Sequence, residues 1–311
     1  MFRLLTIAVL LVAGLSFPIA AAPPPPKVVV SVKPLHSLVA GIMQGAGEPY
    51  LLVRGAASPH AFALRPSDAR ALADAQLIVW AGPMMETFLE RPLSTLARGA
   101  TLLTLSQSAG VRLLPTRAGG AWEHHDHDHG HAGHDHGDLT TDGHLWLDPM
   151  NAKAIGLAVA GALSTLDPAR AALYHANAQA RSEEIDRLHA ELSAELATVR
   201  DRPFIVFHDA YHYLEDRYGL ATAGAITVSP DQPPGAARLS ALRRRIAQAG
   251  AVCIFAEPQF EPALVRTLAQ GTKARTGVLD PEGANIPDGP GLYPALMRFN
   301  VRSLVDCLSG G

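Results

Sequence analysis

No excess of basic charge runs through this chain. Its net charge is −3 and its sequence pI about 6.5, so no cationic face for nucleic acid is implied. There is no His-Glu-x-x-His pair, no phosphate-cradling Gly-rich loop and no Gly-x-Ser-x-Gly. The usual sequence signals of enzyme chemistry are therefore missing. The apolar run at the N-terminus, Leu4 to Ile19, falls short of the roughly 20 residues that a spanning helix needs. It follows Met1-Phe2-Arg3 and ends at Ala20-Ala21-Ala22, the order of a cleaved export signal. Residues 1–22 are expected to be removed, with an uncleaved membrane anchor as the alternative. No lipobox cysteine stands there to suggest surface anchoring. Cysteine is scarce, with Cys253 and Cys307 the only two. In an oxidising compartment a lone pair is expected as a disulfide rather than a metal site; two buried free thiols are the alternative.

What remains is a globular composition, 48% apolar and 18% charged over 311 residues, a length that suits two domains. Strands are predicted at Lys27 to Val32, Tyr50 to Val53, Leu77 to Trp80 and Thr101 to Leu105, from short β-branched runs. Helices are predicted at Leu35 to Met43 and Ser67 to Asp74. Residues 115–143 are rich in Gly, Asp and His without periodicity, and a disordered loop is expected. A long helix then follows Asp167-Pro168 and runs to about Val199, with Ile185, Leu188, Leu192, Leu196 and Val199 on one face. Alternation resumes with strands at Phe204 to Phe207, Ala223 to Ile226, Ala251 to Phe255 and Thr276 to Leu279, and helices at Ala236 to Gln248 and Pro262 to Gly271. The pattern predicts an α/β protein of two lobes, each a parallel sheet flanked by helices, joined by one long rigid helix. The expected spans are 23–166, 167–200 and 201–311.

Histidine is the abundant oddity, at 14 residues. Four metal-capable groups follow predicted strands: His60, His208, Glu257 and Asp280. In parallel sheets, ligands collect at such strand ends. His144 adds a fifth candidate, where apolar sequence restarts after the loop. Any one of these is more often a hydrogen-bonded structural residue; their joint occurrence points to a metal. Three imidazoles and one oxygen suit tetrahedral Zn²⁺, whereas Mn²⁺ favours more oxygen ligands. Within the loop, the tract 124–136 carries His124, His125, His127, His129, His131, His134 and His136 with three aspartates. Such density binds divalent ions weakly and interchangeably; an internal tag or a solubilising loop are the alternatives. His36, His175 and His189 read as structural or solvated. His212 lies four residues beyond His208 and is not read as a ligand. A zinc hydrolase with Glu257 as general base stays open as a minority reading.

These residues resemble the zinc-uptake (ZnuA-type) solute-binding proteins of bacterial ABC importers. The resemblance rests on Ala57-Ser58-Pro59-His60, Leu64-Arg65-Pro66-Ser67-Asp68, His144-Leu145-Trp146-Leu147, Phe207-His208-Asp209-Ala210-Tyr211, Phe255-Ala256-Glu257-Pro258-Gln259-Phe260 and Leu279-Asp280-Pro281. It implies two α/β lobes on a rigid helix, with zinc between them held by His60, His144 and His208. The fourth ligand would be water or a carboxylate. Pro59 leaves none beside His60, which favours Asp280, with Glu257 behind the ligands. His212 departs from the small residue that the family motif carries there. Manganese-binding cousins place an acidic group where His208 stands. The expected protein is a monomeric periplasmic zinc receptor serving an ABC permease in the inner membrane, not an enzyme. A receptor for manganese or another divalent metal, and a surface adhesin without a permease, are the rivals.

Overall fold

The computed structural model of the chain describes residues 23–117, 141–227 and 235–310. The expected leader at 1–22 and the His-rich tract 124–136 lie outside the described residues. The first lobe runs β1 (Val28–Val30), α1 (Lys33–Ile42), β2 (Tyr50–Leu51), α2 (Pro66–Asp74), β3 (Leu77–Trp80), α3 (Glu90–Thr95) and β4 (Thr101–Thr104). Two longer helices follow, α4 (Pro149–Leu166) and α5 (Ala171–Leu196). The second lobe runs β5 (Phe204–His208), α6 (His212–Tyr218), β6 (Thr222–Thr227), α7 (Ala236–Ala249), β7 (Cys253–Ala256), α8 (Ala263–Ala269), β8 (Arg275–Val278) and α9 (Leu292–Ser309).

Each lobe holds a four-stranded parallel sheet, in the order β2-β1-β3-β4 and β6-β5-β7-β8. The two orders are the same topology used twice. The inner strands are buried along their whole length. That is why they read as unbroken apolar runs rather than alternating ones. The edge strands β4 and β8 are largely exposed and correspondingly more polar.

The α-helix α5 is shorter than the predicted span of 167–200, since a 3₁₀ turn at Pro168–Arg170 leads into it and turns follow Leu196. Its 26 residues reach about 39 Å at 1.5 Å each. Asp167 does not cap it; its carboxylate instead accepts from Arg170 at 2.7 Å and Tyr174 Oη at 2.8 Å. Helices α4 and α9 are absent from the sequence reading. The buried residues of α4, among them Ala152, Ile155, Val159 and Leu163, keep to one face, but apolar residues such as Leu157 also stand on the exposed one, so its periodicity is weak. Its start carries the same Asp-Pro signature as the start of the next helix: Asp148 accepts from Met150 N at 2.8 Å and Pro149 opens the first turn.

One apolar core runs through both lobes, taking in Val30, Trp146, Leu192, Val206 and Met297. A shared core of this kind opposes free hinge motion. Polar ties add to it across the lobes: Trp146 Nε1 donates to the Pro281 carbonyl at 2.9 Å, and Arg217 grips both oxygens of Asp148 at 2.7 and 2.5 Å. Cys253 on β7 and Cys307 on α9 form the expected disulfide. Among the described residues, no helix is long and apolar enough to cross a membrane.

Candidate metal centre

The chain brings His60, His144 and His208 together from three separate elements. His60 stands in a single 3₁₀ turn, Pro59–Ala61, that Ser58 Oγ opens by accepting the His60 N–H at 3.3 Å. His144 follows Asp142, whose Oδ1 accepts the His144 backbone N–H at 3.0 Å and faces its ring Nδ1 at 2.8 Å. A buried 3₁₀ turn, Leu145–Leu147, then fixes the chain beyond it. His208 is the last residue of β5. Strands β5 and β7 are neighbours whose connections leave in opposite directions, the switch point at which parallel sheets open a crevice. Glu257 follows β7 at that point, and both of its oxygens meet His208 Nδ1, at 2.8 and 2.7 Å.

The three ring centroids lie 5.5, 5.8 and 5.2 Å apart. One nitrogen from each ring falls within 4.8 Å of the others. His144 and His208 are buried, His60 only partly so. Because each carboxylate accepts at Nδ1, the rings of His144 and His208 carry their protons there and present bare Nε2 lone pairs inward. Those two Nε2 atoms stand only 3.3 Å apart. His60 Nε2 is buried without a hydrogen-bond partner. Facing lone pairs at this distance repel unless a proton or a metal ion lies between them. The donor set is the one Zn²⁺ takes most readily.

Protonation follows the same geometry. Burial holds His60 well below the ordinary imidazole value, and the neighbouring His144 and His208 add to that. Burial does the same to His144, with His208 next. Burial pulls His208 down as well, but the Glu257 carboxylate, with Asp209 and Asp142 adding to it, makes the net shift upward.

Asp280, expected as the fourth ligand, is engaged within its own loop in this structure. Its Oδ1 accepts from Gln259 Nε2 at 2.8 Å, Glu282 N at 3.0 Å and Gly283 N at 2.8 Å. Its Oδ2 accepts from Ala284 N at 2.6 Å. The carboxylate organises the loop after β8 and does not join the imidazole cluster. Glu257 lies behind the His208 ring, at its Nδ1. Two residues escaped sequence reading. Asp142 sits in the segment assigned to a loop, yet Pro115 and Thr141 bridge and Asp142 is buried. An Asp two residues before a candidate ligand was the available signal. Glu282 lines the cleft with no motif to mark it. His212 Nδ1 lies 3.9 Å from Asp142 Oδ2, outside the cluster. His36, His175 and His189 bond to Pro49 O, Ser164 Oγ and Tyr218 Oη.

Two lobes of one topology, clasped on a long helix and closed over a cleft, make this a two-lobed cleft-binding protein. The same fold is seen in the periplasmic zinc binding protein TroA from Treponema pallidum, with a TM-score of 0.77 at 22% identity over 91% of this chain and 99% of that one. The chain belongs to the ZnuA family, described as zinc-uptake complex component A, periplasmic, whose profile matches residues 28–307. The high-affinity zinc uptake system protein ZnuA of Brucella suis biovar 1 (strain 1330) is 50% identical over 307 residues, 91% of each chain. Its counterpart from Paracoccus denitrificans (strain Pd 1222) is 38% identical, covering 91% of this chain and 92% of the other.

Proposed function

We propose that this chain is a periplasmic receptor that captures one Zn²⁺ between its lobes with His60, His144 and His208 and hands it to an ABC-type permease in the inner membrane. The observation that carries this reading is the pair of inward-facing Nε2 lone pairs, 3.3 Å apart, beside the unpartnered Nε2 of His60. Three neutral nitrogens favour zinc over manganese, whose sites are richer in oxygen. Glu257, the residue the hydrolase reading takes as base, is engaged by His208, which favours the receptor reading. Export through a cleaved leader at 1–22 and action as a monomer complete the reading. The names of the relatives support the zinc and uptake parts of it.

The test is zinc titration against a competing chelator. The full chain should bind one ion tightly, and His208→Ala should lose that binding. Unchanged titration in the variant would overturn the site. Histidines of the tract 124–136 are proposed to gather ions weakly, so deleting the tract should leave tight binding intact. Loss of tight binding on deletion would make the tract the principal site instead.

A further inference from the structure

Glu282 is a buried carboxyl without a use in the geometry described so far. It is 4% exposed, and neither of its oxygens has a hydrogen-bond partner. Leaving such a group unpaired in the interior costs free energy, so its place needs a reason. It lines the same small cleft as His60, His144 and His208. The only other carboxylate lining that cleft among the described residues, Glu257, is held at His208 Nδ1. Asp142 is held at His144 Nδ1 and Asp280 by its own loop. The buried ammonium of Lys33, close enough to influence Glu282, points instead to the carbonyls of Ala284 and Ile286 and to Asp288.

The loop that carries Glu282 is built to present it. Asp280 receives the N–H groups of residues 282, 283 and 284, which fixes the backbone, and Gly283 makes the turn at φ +75°. The backbone is pinned while the Glu282 side chain has no bond to break before it turns. Three neutral imidazoles give a divalent ion no anionic contact of its own, since Asp142 and Glu257 act only from behind the rings, and an anionic oxygen would offset more of its charge in the buried cleft. It would also complete the four-coordinate geometry that zinc prefers.

We propose that Glu282, not Asp280, is the anionic fourth ligand, turning its carboxylate onto the ion that the three histidines hold. This rests on the zinc-site reading above. The test uses the full chain, Glu282→Gln and His208→Ala, with Zn²⁺ affinity measured by chelator competition and the d–d absorption of the Co²⁺ complex as a report on ligand geometry. Glu282→Gln should weaken Zn²⁺ binding by at least about tenfold, the scale on which supporting groups of metal sites act, and should alter the Co²⁺ spectrum. If it binds both ions as the parent does while His208→Ala fails, Glu282 is not a ligand and the histidine site stands. If both variants match the parent, the histidine site falls and Glu282 with it. Should Glu282→Gln not fold, as judged by circular dichroism of the metal-free chain, a zinc-loaded crystal of the parent decides. A Glu282 oxygen within about 2.2 Å of the ion upholds the proposal, and one out of reach ends it.

Discussion

At His208 two forces act on one ring. Burial favours the neutral imidazole, while the Glu257 carboxylate at 2.7 Å, joined by Asp209 and Asp142, favours the charged one, and the carboxylates prevail. Zinc needs the neutral ring. Affinity should therefore begin to fall with acidification above the ordinary imidazole value of 6.5, while His60 and His144 remain neutral well below it. In the metal-free chain, the raised pKa of His208 contributes stability that is full below 6.5 and is lost as pH rises through its folded value. A proton holds the two Nε2 atoms together in acid, and zinc takes its place as pH rises. Glu257→Gln removes the upward pull, so the acid midpoint of zinc binding should move to lower pH. Affinity at pH 8 should meanwhile fall by about 10–100-fold, because the ring loses its orienting partner. Chelator competition across a pH series measures both, and an unmoved midpoint would show that Glu257 does not set the titration.

At the scale of elements, the strands were legible because buried parallel strands write themselves as unbroken β-branched runs. With them came His208 at the end of β5, Glu257 and Asp280 just past β7 and β8, and His60 in the turn beyond β2. What strand-end reasoning cannot see is whether a carboxylate turns toward the cleft or back into its own loop. Asp280 does the latter, as an Asp before Pro-x-Gly is equipped to do. Asp142 was hidden by the composition of the segment around it, and Glu282 by the packing that buries its loop. Of the long helix, the face of Ile185, Leu188, Leu192 and Leu196 was legible and is buried. Leu192→Ala should cost about 2–5 kcal/mol in urea unfolding of the metal-free chain; a cost below about 1 kcal/mol would mean that α5 is not held by this face.

Glu86 occupies the corresponding switch point of the first sheet. It accepts from Ser31 Oγ at 2.5 Å and from the N–H groups of Ala81 and Gly82 at 3.1 and 3.0 Å. Burial nonetheless lifts its carboxyl from 4.5 to about 7, only partly countered by those bonds. A folded pKa above the unfolded one gives stability that is present in acid and lost as pH rises through about 7. The melting temperature of Glu86→Gln relative to the parent should thus rise between pH 5 and pH 8. A difference that stays flat would mean that Glu86 does not titrate in this range.

At the scale of the molecule, one sheet topology used twice builds two lobes that line a single cleft, and the shared core with α5 joins them. The disulfide ties β7 to α9 across 54 residues of chain. Reducing it should lower stability by about 4 kcal/mol on the chain-entropy estimate, while zinc stoichiometry is unchanged, because neither sulfur lies in the cleft. Everything functional then depends on whether one ion joins the two lobes. Diffraction at the zinc absorption edge from crystals of the zinc-loaded chain measures this directly. A single strong anomalous peak is predicted, with a nitrogen of each of His60, His144 and His208 at about 2.0–2.1 Å. A principal peak away from these three rings, or one bonded to a single lobe, would contradict it.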